Sequence, residues 1–179
     1  MTLFQFSLTT SLIISFLGLF AWVQKSKFSE YMLTFSRSNK ASVILLTVAL
    51  GWFIFRYVLN LSEADFGNYK LVIAMVAVFI YFGSFALVKD FLSVRALCII
   101  CLFYSREVLD AAWLQDPPSR LFLVSVIYIL IILSLYLGAW PYRFRDFFNW
   151  LGQKTQRVII LKSIILITGL LMLGISFSL

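Results

Sequence analysis

Apolar residues fill six long stretches of the chain, and charged residues are concentrated between them. A helix of about 20 apolar residues is long enough to cross the ~30 Å hydrocarbon core of a bilayer. Stretches such as 123–137 lack the alternation of apolar and polar positions that is typical of membrane barrels. The pattern predicts an all-α integral membrane protein with crossings at about 3–23, 41–60, 71–88, 91–113, 121–140 and 158–178.

Two connecting segments have a different periodicity, with aromatic and aliphatic residues three and four positions apart. This spacing predicts two short amphipathic helices, at about 27–36 and 142–152, that lie in the membrane surface. We expect their apolar stripes to anchor them at the acyl boundary, or to form a platform for a cytoplasmic partner. The predicted anchors are Phe28, Tyr31, Met32 and Phe35 in the first helix, and Phe144, Phe147, Phe148 and Leu151 in the second.

The composition also indicates a chain embedded almost wholly in the membrane. Of its 179 residues, 62% are hydrophobic and only 13% are charged, whereas about a quarter of a soluble domain is charged. The chain has no histidine, which is the commonest ligand of haem and of metal ions. We therefore expect one transmembrane helical domain over 1–179, with no soluble catalytic domain, no metal site and no cofactor.

Basic residues are distributed unevenly between the two sides of the predicted bundle. Ten of the fifteen lie in the first, third and fifth connections, and the positive-inside rule places these connections in the cytoplasm. Both termini should then lie outside, in what we expect to be the inner membrane of a bacterium. Because the net charge of +7 follows from this topology, we expect no nucleic-acid partner. The ten residues are Lys25, Lys27, Arg37, Lys40, Lys89, Arg95, Arg143, Arg145, Lys154 and Arg157.

Four charged residues lie near the outer ends of the second and fourth predicted crossings, namely Arg56, Arg106, Glu107 and Asp110. Arg106 and Asp110 are four positions apart on a helix, so they should pair. Charges at membrane depth are energetically costly and therefore indicate candidate functional sites. Two interpretations remain open, an ion-pair network that joins the two helices and a site for a small polar ligand or a lipid headgroup.

Cys98 and Cys101 form a C-x-x-C motif in the fourth predicted crossing. The stretch 97–104 resembles the C-x-x-C helix of two families of small membrane redox proteins, the disulfide-forming quinone reductases and the vitamin K epoxide reductases. The resemblance implies thiol chemistry beside a quinone. Those families relay electrons through a second cysteine pair in an outer loop, whereas this chain has two cysteines in all. Apolar surroundings suppress the reactive thiolate, so we expect structural thiols and keep the redox role as an alternative.

Small residues in the third and sixth predicted crossings allow close helix contact, either within the bundle or with another subunit. We therefore expect a non-catalytic, polytopic accessory subunit or scaffold of a membrane complex, whose partners are membrane lipids and other membrane-protein subunits. A small transporter or channel is the first alternative, and a membrane thiol–quinone redox protein that uses Cys98 and Cys101 is the second. The small residues are Ala74, Ala77, Gly83, Ser84 and Ala86 in the third crossing, and Gly169 and Gly174 in the sixth.

Overall fold

A computed structural model describes residues 2–24, 28–62, 66–88, 90–116 and 118–178, and all regular elements among them are helices. The prediction of an all-helical chain is therefore confirmed. A π-helix, Phe53–Val58, continues α3, and a short 3₁₀ helix, Gly67–Tyr69, precedes α4. The α-helices are α1 (Leu3–Val23), α2 (Phe28–Ser36), α3 (Asn39–Trp52), α4 (Lys70–Leu87), α5 (Leu92–Ala112), α6 (Arg120–Ala139), α7 (Tyr142–Gly152) and α8 (Thr155–Ser176).

Five helical segments of the described chain are long and apolar enough to cross a membrane. They correspond to five of the six predicted crossings. The predicted segment 91–113 is also a helix, α5, but its charges at Arg95, Arg106, Glu107 and Asp110 keep it out of this group. The five segments are Leu3–Val23, Asn39–Val58, Gly67–Leu87, Arg120–Ala139 and Thr155–Ser176.

The first and last helices, α1 and α8, form the most extensive helix pair of the fold. They run antiparallel, because the Ser7 hydroxyl near the start of α1 hydrogen-bonds the Ser176 hydroxyl at the end of α8, over 2.9 Å. Small residues bring the two backbones together, since a Cβ added at Gly169 would lie 2.7 Å from the backbone nitrogen of Ser15. Close backbone approach of this kind is the usual means by which membrane helices associate.

The antiparallel arrangement gives the bundle two distinct ends. One end, which we call the terminal end, holds the start of α1 and the end of α8. There these two helices pack with the end of α5 and the start of α6, around residues such as Val108 and Ile127. At the α2–α7 end, the two short helices pack with the end of α1 and the starts of α5 and α8. The basic residues Lys25, Lys27 and Lys89, assigned from sequence to this end, lie outside the described residues.

Helices α2 and α7 bury much of their aromatic stripes against each other. The rings of Phe28 and Phe148 meet edge to face at 6.0 Å, and Phe35 lies 6.5 Å from Phe144. Ser29 also donates a hydrogen bond to the Phe148 carbonyl. Protein therefore covers part of each stripe, and the expected contact of the stripes with lipid stays a prediction. The predicted anchors Phe28, Phe144, Phe148 and Leu151 are buried, Met32 and Phe35 are partly buried, and Tyr31 and Phe147 are exposed.

Burial is also unequal among the long helices. Helix α5 contacts α1, α3 and α6, and eight of its 21 residues are buried. Helix α4 lies outside α3, and none of its 18 residues is buried. The helix with the most charges among the long helices of the described chain therefore lies inside the bundle, whereas the wholly apolar face of α4 lies at its edge.

Candidate functional site

A charged cluster joins α3 to α5 at the terminal end of the bundle. Arg56 donates two hydrogen bonds to the two carboxylate oxygens of Glu107, from Nε over 2.9 Å and from an Nη atom over 2.8 Å. The Glu107 side chain is only 13% exposed, whereas Arg56 is 59% exposed. Two parallel N–H···O contacts make this the strongest arrangement available to an arginine and a carboxylate.

The π-helix directs Arg56 and its neighbour toward the same partner. Its wider turn is closed by a hydrogen bond from the Leu59 amide to the Ile54 carbonyl, over 3.0 Å. The Tyr57 hydroxyl can then also donate to Glu107, over 3.4 Å, although adjacent residues of an α-helix point about 100° apart. The Asn60 side-chain amide donates to the Arg56 carbonyl, over 2.9 Å, and so satisfies a carbonyl near the end of the helix. Short π-helices of this kind are frequent at functional sites.

The other two charges of the cluster lie at its exposed edge. Arg106 stacks over the ring of Tyr57, with its guanidinium carbon 4.5 Å from the ring centroid. Its Nε lies 3.8 Å from a carboxylate oxygen of Asp110, which is too long for a hydrogen bond. Both side chains are more than half exposed. The structure thus places Arg56, Arg106, Glu107 and Asp110 together, with one tight pair and one loose pair.

An open groove of about 640 Å³ lies beside this cluster, between α1 and α3, with α5 as its floor. Helix α5 contributes Glu107, Asp110, Tyr104 and Ala111 to the lining. The other lining residues are Phe6 and Thr9 of α1, Trp52 of α3 and Arg56 of the π-helix.

A hydroxyl network joins one wall of the groove, α1, to its floor, α5. The Tyr104 hydroxyl lies 2.7 Å from the Thr10 hydroxyl and 3.3 Å from the Thr9 hydroxyl. Both threonines also donate to the Phe6 carbonyl of their own helix. These contacts fix α1 to α5, so that one wall and the floor of the groove hold a defined position.

The two cysteines lie elsewhere on α5 and do not line the groove. Both are free thiols, with Cys98 buried and Cys101 partly buried. Cys98 packs toward α6, where a Cβ added at Gly138 would lie 3.8 Å from the cysteine Cβ. The C-x-x-C motif therefore belongs to the contact between α5 and α6.

Sequence reasoning singled out the charges of this site but not its uncharged members, Tyr57, Tyr104, Thr9 and Trp52. A usable signal was present, because hydroxyl-bearing residues occur at similar depths in three of the predicted crossings. Polar groups in a membrane interior seek partners on neighbouring helices. No such feature of the sequence predicts the π-helix, since the π-helix depends on the packing of α3 against α5.

Comparison of the chain with known protein families, with curated protein sequences and with solved structures gives no match.

Proposed function

We propose that the protein is a non-catalytic accessory subunit or scaffold of a membrane complex, with six crossings and with both termini outside a bacterial inner membrane. The observation that carries the proposal is the position of α4, which has no buried residue although it is long and apolar enough to cross a membrane. A helix attached to its own bundle along one edge offers most of its surface to another protein.

The outward face of α4 has the composition of a helix contact surface. Phe79 and Leu87 are strongly exposed on this face, and Gly83 lies between them. A Cβ added at Gly83 would meet no atom within 4 Å, so the packing of this chain gives no reason for a glycine there. A small residue between large ones creates the notch into which a neighbouring membrane helix packs.

The sixth crossing in this proposal is α5. Its first turn is tied to the α2–α7 end, because the Ser93 hydroxyl donates to the carbonyls of Phe35 and Ser36. Its last turns lie at the terminal end, where Glu107 meets Arg56. A helix that connects both ends of the bundle can cross the membrane despite its charges, because neighbouring helices shield them.

The orientation is supported by the basic residues at the α2–α7 end. Described basic residues in or beside the short helices, such as Arg37, Arg143 and Arg157, lie at this end. Juxtamembrane arginine and lysine favour the cytoplasmic side. The proposal therefore places α2 and α7 at the cytoplasmic surface.

Purification of a tagged protein in mild detergent, with variants that fill open glycine sites, would test the proposed role. We expect the wild type to co-purify with a defined membrane-protein partner and Gly83→Leu to lose that partner. The matched controls are Gly51→Leu on α3 and Gly174→Leu on α8, since a Cβ at either position also meets no atom within 4 Å. Equal melting temperatures of all four proteins would show that the change is local.

Photo-crosslinking provides the second readout. A photoreactive amino acid in place of the exposed Phe79 should crosslink to the same partner, whereas one in place of the exposed Ile132 of α6 should not. A protein that purifies without any partner and moves a solute across liposome membranes would refute the scaffold role and favour a transporter.

A further inference from the structure

The groove at the terminal end combines three properties that the scaffold role does not use. It is open, it has charges of both signs, and it lies at the end of the bundle where the spanning helices α3 and α8 finish. Lipid headgroups occupy this depth in a bilayer.

Arg56 lines the groove and has hydrogen-bond donors that its contacts with Glu107 do not use. A guanidinium group has five N–H donors, and the contacts to Glu107 use one at Nε and one at an Nη atom. Within the described part of the chain, the other edge of the guanidinium has no hydrogen-bond partner, and the side chain is 59% exposed. The two Nη atoms of that edge have the spacing that binds two oxygens of a phosphate.

Asp110 provides the opposite charge in the same groove. Its carboxylate is 70% exposed, and its contact with Arg106 at 3.8 Å leaves its acceptor capacity unfilled. The Thr9 hydroxyl, which donates to the Phe6 carbonyl, keeps its oxygen lone pairs as acceptors on the facing wall. Glu107 is neutralised by Arg56, so the groove presents the free donor edge of Arg56 and the loosely paired carboxylate of Asp110.

An apolar path leads away from the charges. Phe6 and Trp52 line the groove, and the exposed residues Ile13 of α1 and Val48 of α3 lie one helical turn deeper than Thr9 and Trp52. An amphiphile with its polar group between Arg56 and Asp110 would therefore have its acyl chains along this path.

We propose that the groove binds a zwitterionic glycerophospholipid whose headgroup contains a primary ammonium. The phosphate is held by the free edge of Arg56, and the ammonium by Asp110 and Thr9. A primary ammonium has three N–H donors for these acceptors, whereas a trimethylammonium group has none, and an uncharged headgroup would leave Asp110 with only its loose contact to Arg106. This site is independent of the proposed partner surface on α4.

Native mass spectrometry of the full chain, released from detergent that contains a single added lipid, would measure the preference directly. We expect phosphatidylethanolamine to bind about tenfold more tightly than phosphatidylcholine or phosphatidylglycerol of the same chain length, as one added charge-assisted contact predicts. Soluble phosphoethanolamine should not displace the lipid at equal concentration, because it lacks the acyl chains. Equal binding of the three lipids, or displacement by the soluble headgroup, would overturn the proposal.

Two variants locate the binding in the groove. Asp110→Asn should reduce the binding of phosphatidylethanolamine to the level of phosphatidylcholine, whereas Asp146→Asn, at an exposed aspartate of α7, should leave it unchanged. Ala111→Trp should fill the groove and abolish the preferential binding, with a melting temperature that shows whether the bundle is intact. A preference for phosphatidylethanolamine that survives Asp110→Asn, or that survives Ala111→Trp in a folded protein, would refute this site.

Discussion

Glu107 is a charged residue on the helix that lies inside the bundle, and its neighbours compensate that charge. Arg56 binds both of its carboxylate oxygens, and the Tyr57 hydroxyl adds a third donor. An enclosed charge is tolerated when it is paired and hydrogen-bonded, and it becomes costly when one partner is removed. This pair connects two helices, whereas the Arg106–Asp110 pair lies within one helix at 3.8 Å.

We predict that the effects of substituting Arg56 and Glu107 are strongly non-additive. Arg56→Leu should lower the melting temperature in detergent by several degrees, because Glu107 then keeps a charge without its cation. The double variant with Glu107→Leu should lose less than the sum of the two single variants, since no isolated charge remains. The Arg106→Leu and Asp110→Leu cycle is the control and should be nearly additive, as is usual for exposed pairs. Additive losses at Arg56 and Glu107 would contradict the tight pairing.

The helix pairs of the bundle differ in the side chains that hold the two helices together. The α1–α8 pair depends on small residues, with Gly18 against Leu166 and Gly169 against Ser15. The α2–α7 pair depends instead on contacts between aromatic rings of the two helices, such as Phe28 and Phe148, whose centroids are 6.0 Å apart. Helix α4 has neither kind of contact along its outward face, which is why we place the partner there.

We predict that filling Gly169 destabilises the α1–α8 pair. Gly169→Leu adds a Cβ that would lie 2.5 Å from the Ser15 Oγ and 2.7 Å from its backbone nitrogen, so the helices must move apart. Overpacking of this kind costs about 1–3 kcal/mol. Gly174→Leu lies on the same helix, where an added Cβ meets no atom within 4 Å, and should leave thermal unfolding in detergent unchanged. Similar losses for both variants would show that the helix pair is not packed in this way.

At the scale of the whole molecule, the proposed six-crossing topology depends on α5. If α5 crosses the membrane, the connections that follow α3 and α5 lie on one side, and those that precede α3 and α8 lie on the other. If α5 does not cross, the connections before α6 and before α8 both change sides. The two arrangements therefore differ in the locations of Asp116 and Gln153.

Single cysteines in a variant with Cys98→Ala and Cys101→Ala would distinguish the two arrangements. We expect an impermeant maleimide to label intact cells at the two positions beyond the terminal end, and to label the two positions near α2 and α7 only after permeabilisation. Labelling of intact cells at 68 and 153 but not at 116 would mean that α5 does not cross, and the reverse of the expected pattern at all four positions would mean that the orientation is inverted. The first two positions are Asn68 and Asp116, and the last two are Asn39 and Gln153, all of them exposed.

Helix number and approximate bounds could be predicted from the sequence, because the length of an apolar run and the positions of charges are local properties. The same reasoning identified the four charges of the site. It could not identify Tyr57, Tyr104 and Thr9, since each is an ordinary membrane-helix residue until a partner on another helix is known. The two stripes that contain Phe28 and Phe148 show the same limit, because an apolar periodicity does not specify whether lipid or protein covers it.

What the sequence by itself determined is an all-helical chain with long apolar helices, since a helix satisfies its own backbone hydrogen bonds in a bilayer and the segments lack the alternation of barrel strands. Only the tertiary structure decided that α5 lies inside the bundle, that the π-helix turns Arg56 and Tyr57 toward Glu107, and that a groove separates α1 from α3. The physical reason is that hydrophobicity sums over one segment, whereas pairing, burial and cavities depend on which side chains of distant segments fit together.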